Sequence, residues 1–423
     1  MIRRPAILAT LLLAVVTACS SSSSVGLAMA AAPRASVAPA DAIAAADALN
    51  AFGFDLLRGA VASGGNGVIS PASIAIALGM ARPGARGTTA TQMDAVMRAL
   101  ASDDHASWLN ALDAALASRT GTFKDAVGKD EPVTLRIANA TFAQRDLQIE
   151  PAYLDALASR FGSGVRLVEY RTSTEAARQA INSWVSDQTE ARIPELIDKG
   201  DLDQLTRLVL VNAIYLKAAW LTPFDPALTA PAPFTTADGT SVDVATMHGT
   251  TDLAYASGTG WRAVELPYVG GQLALTIIVP DDLAAFVKGL DGPTFRSITG
   301  ALTETSVDLS LPKFGTETKI DLASLLASLG MPDAFDPVKA DFSGITTAEQ
   351  LYISAVIHQA NIDVDEKGTT ASAATAVAIR ASALPSNQVE LHVDQPFLFA
   401  LRDVETGAIV FIGQITSPSP RDS

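Results

Sequence analysis

From Leu208 to Leu216 the chain reads Leu-Val-Leu-Val-Asn-Ala-Ile-Tyr-Leu, almost continuously apolar. A strand with one wet face alternates polar and apolar residues, so this run predicts a strand covered on both sides. A doubly covered strand needs helices or a second sheet on each face, which makes the chain a layered α/β protein of some size. The composition supplies the material. Of 423 residues, 48% are apolar and 18% charged, which describes a globular chain rather than a disordered one. Length alone gives a prior of two to three domains of about 150 residues, with a single large mixed fold as the alternative.

The flanking sequence carries helix and strand signals in mixed order. Ile43, Ala46, Leu49, Phe52, Phe54 and Leu57 recur at helical spacing over Asp41 to Leu57, and Ser70-Pro71 opens a second helical run through Met80. Val133 to Phe142 reads as a strand, Pro151 to Phe161 as a helix, and Thr174 to Thr189 as a helix with Ile181, Trp184 and Val185 on one face. Hairpin signals follow at Asp238-Gly239, Gly270-Gly271 and Glu405-Thr406-Gly407. No internal repeat and no compositional break divides residues 41–418.

Arg3 and Arg4 precede an apolar run from Ala6 to Ala18, too short for a comfortable membrane span and the right length for a signal-peptide core. The chain is therefore expected to be exported. Its one cysteine, Cys19, follows Val16-Thr17-Ala18, similar to a bacterial lipobox, and is expected to be a lipid anchor to the membrane. The alternative is cleavage elsewhere, near Ala30, with Cys19 a lone thiol. Removal of residues 1–18 takes two arginines and no acid from a net charge of −15, leaving −17. Ser20 to Ser24 and the Ala/Pro/Ser-rich stretch to Ala40 offer nothing to bury. Residues 19–40 are expected to be a flexible tether, with the folded domain starting near Asp41.

Several chemistries are excluded. The acidic balance argues against a phosphate-tracking surface, so nucleic acid is not an expected partner. One cysteine forbids an intramolecular disulfide, and His105, His248, His358 and His392 show no metal-ligand spacing; no metal and no cofactor are expected. Ser70 and His358 invite a hydrolase reading, but no Gly-x-Ser-x-Gly elbow, phosphate-binding P-loop or dinucleotide fingerprint occurs. The chain is not expected to be an enzyme.

A set of long segments in one order resembles the serpin family across nearly the whole exported domain. Asn66-Gly-Val-Ile-Ser70-Pro71-Ala-Ser73 through Leu78, then Gly84-Ala85-Arg86-Gly87-Thr88 and Gln92, is similar to the family's first signature. Ile137-Ala-Asn139-Ala-Thr-Phe142, Ile181-Asn182-Ser-Trp184-Val185 and Leu210-Val-Asn212-Ala213-Ile-Tyr215-Leu-Lys217 with Trp220 and Phe224 follow in register. His358-Gln-Ala360 through Glu366-Lys367-Gly368-Thr369, then Gln395-Pro396-Phe397 and Gly407 to Gly413, complete the series. The resemblance implies a single mixed α+β domain over 41–418 with three β-sheets, eight or nine helices and an exposed reactive-centre loop at about 366–392. It implies that Ser70, Ser73, Asn212 and His358 form a buried shutter beneath strands that must part, a structural role. Lys217, Trp220 and Lys313 match the breach where insertion starts, with Lys313 expected to make an exposed pair with Glu366. Glu366, Gly368, Thr369, Ala371, Ala373 and Ala374 match the hinge.

The loop makes sense from its own residues. Gly368 to Ile379 carries no charge, and the alternate positions Thr369, Ala371, Ala373, Thr375, Val377 and Ile379 are small or apolar, as an inserted strand requires. An Ala-rich surface linker is the plainer reading of the composition; the preceding Glu-x-Gly-Thr favours a hinge. The family's usual count from Glu366 places the reactive bond at Ser382-Ala383, whereas counting back from Pro396 lands near Pro385 and the competing anchor is Arg380-Ala381. Ser382 implies an elastase-like or subtilisin-like target, Arg380 a trypsin-like one. The resemblance thus implies a monomeric inhibitor that traps a serine protease as a covalent acyl complex. A non-inhibitory binding or carrier serpin is the rival, and a two-domain lipoprotein solute-binding protein a distant third.

Overall fold

The structure, a computed structural model, describes residues 25–61, 65–99, 102–369 and 388–419. The expected central strand is present as Leu208–Ala219. It lies within a main sheet whose order runs Gly26–Ala28, Val165–Val168, Asp130–Gln144, Leu208–Ala219, Gly368–Thr369, Ala355–Asp365, Phe314–Asp321, with Gly121–Lys124 pairing on Asp130–Gln144. Its continuous apolarity has a direct cause. Leu208, Leu210, Ile214 and Leu216 enter the large core between the sheets, while Val209, Val211 and Ala213 enter a second core with Ile181, Val185, Ile193 and Ile197. The first two of these lie on the helix Tyr170–Gln188, which covers the outer face.

On the inner face lies the helix Pro71–Ala81, every residue of which is buried. It packs on the main sheet on one side and on the strand Ile409–Ile415 of the second sheet on the other. Ser70 starts it: its side chain accepts a hydrogen bond from the Ser73 amide at 3.2 Å, and Pro71 occupies the first turn, where its missing N–H costs nothing. Gly79 is required by packing, because a Cβ there would stand 2.5 Å from the Leu109 side chain.

The remaining strands form one nine-stranded sheet. Three sheets are expected from the resemblance, and the hydrogen bonding joins two of them. The strand Ser241–Gly258 pairs in succession with Ala230–Thr235, Thr303–Pro312 and Trp261–Pro267, and so belongs to both halves. Nine α-helices are present among the described residues. One apolar core includes residues from Ala45 to Ile415, without the paired lobes that a solute-binding cleft requires.

Residues 25–38 depart from the expected flexible tether. Gly26–Ala28 adds antiparallel to Val165–Leu167 at the sheet edge. Arg34 then reaches the helix Ser102–Ala117, donating from Nε to Asn110 Oδ1 at 2.7 Å and from Nη2 to Asp113 at 2.6 Å. The Ala35 amide bonds to the Ser159 carbonyl at 2.6 Å. Composition hides this strap because its bonds are backbone pairing and one guanidinium, neither of which leaves an apolar pattern. The helix expected from Asp41 starts at Pro39. Burial pushes the Asp113 carboxyl up and Arg34 opposes it. Arg34→Ala is expected to cost about 1–3 kcal/mol, the range for stranding a partly buried polar partner, read as a lowered midpoint in urea unfolding; an unchanged midpoint contradicts the strap.

Candidate functional site

The main sheet has a seam between Leu208–Ala219 and Ala355–Asp365. The two strands pair in parallel from Ala355↔Val209 to Gln359↔Ala213 and no further. Above that point they diverge, and the two-residue strand Gly368–Thr369 lies between them, antiparallel to both: Gly368 and Thr369 face Ala219 and Ala218 on one side, Asp365 and Val364 on the other. The chain thus turns back at Glu366-Lys367 and enters its own sheet. Asp365 makes the turn, its Oδ1 accepting from the amides of Lys367 at 2.8 Å and Gly368 at 3.2 Å. Gly368 has φ +149°, and a Cβ on it would stand 2.1 Å from the Ala218 carbonyl oxygen. Only glycine passes between these two backbones.

Side chains from four segments hold the entry point. Lys313 Nζ donates to Glu366 Oε2 at 2.9 Å and the Thr229 hydroxyl to Oε1 at 2.9 Å. The side chains of the pair are 26% and 12% exposed, so the expected exposed pair is in fact largely enclosed. Burial raises the Glu366 carboxyl, but Lys313 and Thr229 outweigh it and hold the group below its usual range. Trp220 donates from its indole to the Asp365 carbonyl at 2.9 Å and stacks on Tyr268, ring centroids 4.5 Å apart. The Tyr268 hydroxyl meets the Thr369 hydroxyl at 2.5 Å, so Thr369 points inward, 1% exposed. Lys217 lies on the central strand opposite Thr134, just below this entry.

Lower down, Ser70, Ser73, Asn212 and His358 are joined in one buried hydrogen-bonded cluster. His358 and Asn212 stand opposite each other across the seam. The Ser70 amide donates to His358 Nε2 at 3.2 Å, which leaves Nδ1 as the protonated nitrogen and donor to Asn212 Oδ1. Asn212 Nδ2 donates to Ser73 Oγ at 2.5 Å and to Asn139 Oδ1 at 2.6 Å. Asn139 in turn donates to the Ser73 carbonyl at 3.0 Å. Burial lowers the His358 pKa to about 3, so the ring is neutral and is a hydrogen-bond partner, not a base.

Asn139, Tyr268, Thr229 and Asp365 belong to this site and were not among the expected site residues. Only Asn139 left a trace, an amide between two alanines on the strand Asp130–Gln144. The hinge residues Ala371, Ala373 and Ala374, the reactive-bond candidates Arg380, Ala381, Ser382 and Ala383, and Cys19 lie outside the described residues.

The buried imidazole has a pH consequence whose sign is fixed. Its folded pKa is about 3 against 6.5 for the free group, so between those values the unfolded chain binds more protons and stability falls as pH falls. The slope per titrating group reaches about 1.4 kcal/mol per pH unit. Unfolding midpoints measured from pH 6.5 to 5 are expected to fall in the wild type and to fall less in His358→Gln. Parallel slopes would show that His358 is not held neutral.

The comparisons agree with this arrangement. The family model described as Serpin (serine protease inhibitor) matches residues 47–418. Human leukocyte elastase inhibitor is 34% identical over 366 residues, covering 84% of this chain and 93% of that protein. The native-state crystal structure of tengpin, a thermophilic serpin, superposes with TM-score 0.80 at 29% identity, covering 91% of this chain and 97% of that one. Thyroxine-binding globulin complexed with thyroxine superposes with TM-score 0.77 at 25% identity, covering 88% and 99%. With the family model matching residues 47–418, this chain belongs to the serpin family.

Proposed function

We propose that this chain inhibits serine proteases by covalent trapping, with the segment after Thr369 inserting into the seam once it is cut. The observation that carries this reading is the Gly368–Thr369 strand, already paired on both sides at the top of a seam that is closed below by five parallel register pairs. Continuing that antiparallel register brings residues 370–378 opposite 217–209 on one strand and 363–355 on the other. Thr375 then arrives between Asn212 and His358, displacing the bond that closes the shutter. Position 373 arrives between Ile214 and Ala360, both buried. Nine residues bring about eighteen backbone groups into the ladder, at roughly 1 kcal/mol per bond, against the five-residue pairing lost. The intact form is then metastable and held kinetically.

In this reading the protease serine attacks the loop carbonyl, forming an acyl ester and releasing the downstream amine. Insertion then displaces the protease before water reaches the ester. Ser382-Ala383 is the proposed reactive bond, with an elastase-like or subtilisin-like target; the likeness to leukocyte elastase inhibitor favours the same class. We also propose that the protein acts outside the cytoplasm, as a monomer anchored through lipidated Cys19. The likeness to thyroxine-binding globulin supports a second reading, a binding module that carries a small ligand.

One experiment separates the two. The purified chain incubated with elastase, subtilisin and trypsin is expected to give an SDS-resistant complex with one of them, and cleavage alone with no complex supports the binding module. Mass spectrometry of the released C-terminal peptide reads the bond: a start at Ala383 supports Ser382, and a start at Ala381 makes Arg380 the anchor and the target trypsin-like. Ala373→Arg is expected to be cut yet to trap at least tenfold less protease, because a cation would have to lie among Ile214 and Ala360. Trapping at the wild-type level would contradict insertion in this register.

A further inference from the structure

We infer that His248 and His392 form a two-imidazole clip for a transition-metal ion, Zn²⁺ by its chemistry, on the second sheet and away from the seam. The strand Gln388–His392 runs along the sheet edge parallel to Thr303–Pro312, which pairs antiparallel with Ser241–Gly258. In these registers Ser310 stands opposite His392 on one side and His248 on the other. Residues in one such row project from the same face. Both rings turn toward the serine between them: His248 Nδ1 is 3.2 Å from Ser310 Oγ, and His392 Nδ1 is 3.1 Å from it. The two nitrogens are therefore no more than 6.3 Å apart. The His248 side chain is 45% exposed, and the clip requires ring rotations that bring both nitrogens to zinc distance, about 2.0–2.1 Å.

A carboxylate lies beside the other ring nitrogen. Asp308 Oδ1 is 3.3 Å from His248 Nε2 on the far side of the ring. That oxygen is buried and makes no hydrogen bond among the described residues. A small turn of the ring on metal binding would bring the Nε2 proton onto it and leave Nδ1 with its lone pair for the metal, the carboxylate–histidine arrangement that supports metal-bound imidazoles. Glu390 stands opposite Asp308 in the next row, and the two acids make the surroundings favourable to a cation. The donor set is two imidazole nitrogens with the Ser310 hydroxyl and water. Imidazole suits Zn²⁺, whereas Mg²⁺ and Ca²⁺ want oxygen cages. Among the described residues no three His, Cys, Asp or Glu side chains stand ready as a metal cage. The site is accordingly a clip of modest affinity that assembles on binding and ties the edge strand to its second neighbour. It lies at the C-terminal end of the expected reactive loop, on the second sheet, and its zinc binding is read independently of protease inhibition.

The test is zinc sulfate titrated into the full chain at pH 7.5, followed by calorimetry and by thermal unfolding. Saturable binding is expected at one ion per chain, and zinc at a hundredfold excess over its Kd is expected to multiply the folding constant about 100-fold. His392→Ala and His248→Ala are each expected to weaken binding at least tenfold, and Asp308→Asn about tenfold through His248. Calcium and magnesium at the same concentration are expected to leave the midpoint unmoved. His392 lies exposed on an edge strand, so its variant folds and decides the matter even where His248→Ala does not. Undiminished zinc affinity in His392→Ala, no saturable binding up to millimolar zinc, or an equal response to calcium overturns the proposal.

Discussion

The hydrogen bond between His358 and Asn212 crosses the line along which the main sheet divides, and the arrangement around it follows from that position. Below it the two strands are joined by parallel backbone pairing; above it they separate around Gly368–Thr369. The bond is braced from beneath by Ser70 and Ser73 at the start of a fully buried helix, and from the side by Asn139. Every polar group in the closed cluster has its partner. Parting the strands strips partners from several groups before new ones arrive, at about 1–3 kcal/mol for each group left unsatisfied. A seam closed by apolar contacts alone would loosen more gradually. Under the proposed insertion, such a polar cluster would make the closed state stiff and its opening abrupt.

The entry point differs in kind. Glu366 is held by Lys313 and Thr229, and Trp220 fixes the Asp365 carbonyl while it stacks on Tyr268. These contacts grip the turn, not the strand that follows it. Gly368, with no side chain between two backbones, and Thr369, against the Tyr268 hydroxyl, mark where the turn ends and strand register begins. A register set at its upper end dictates which face every later residue occupies, since side chains alternate strictly. The uncharged Gly368 to Ile379 sequence is the consequence expected at those positions.

Much of this was legible in the sequence. The doubly buried strand followed from Leu208 to Leu216 alone, and the resemblance brought Ser70, Ser73, Asn212 and His358 together as the structure does. The Lys313–Glu366 pair was foreseen, but its enclosure was not, because burial depends on Thr229 and on a turn that spacing does not reveal. Asn139 was visible as an amide between two alanines, but its bonds to Ser73 and Asn212 come from other elements and leave no mark in its own segment. Tyr268 sits just before Gly270-Gly271, where a tyrosine reads as a hairpin residue, and its role appears only when Trp220 is laid against it. That Ser241–Gly258 changes partner along its length, and so joins two of the expected sheets by hydrogen bonds, was not legible in the spacing. His248 and His392 are 144 positions apart in the chain, and only two successive strand registers bring both to Ser310.

If a strand is admitted, as proposed, the main sheet widens by one strand spacing, about 4.8 Å, and one side of the seam has to move as a unit. The strands Leu208–Ala219, Asp130–Gln144 and Val165–Val168 form that side, and the strap bonds Gly26–Ala28 to its outer edge. Arg34 and Ala35 carry the same connection to Asn110, Asp113 and Ser159. None of these strap contacts reaches Ala355–Asp365 or Phe314–Asp321, across the seam. The helix Tyr170–Gln188 behaves otherwise, because the apolar cluster beneath it joins Val209 and Val211 on one side to Ala355 and Ile357 on the other. The strap therefore ties one side of the seam together without bridging it. The helix cluster spans both sides, so under the proposed insertion it would have to be re-seated before the sheet could widen.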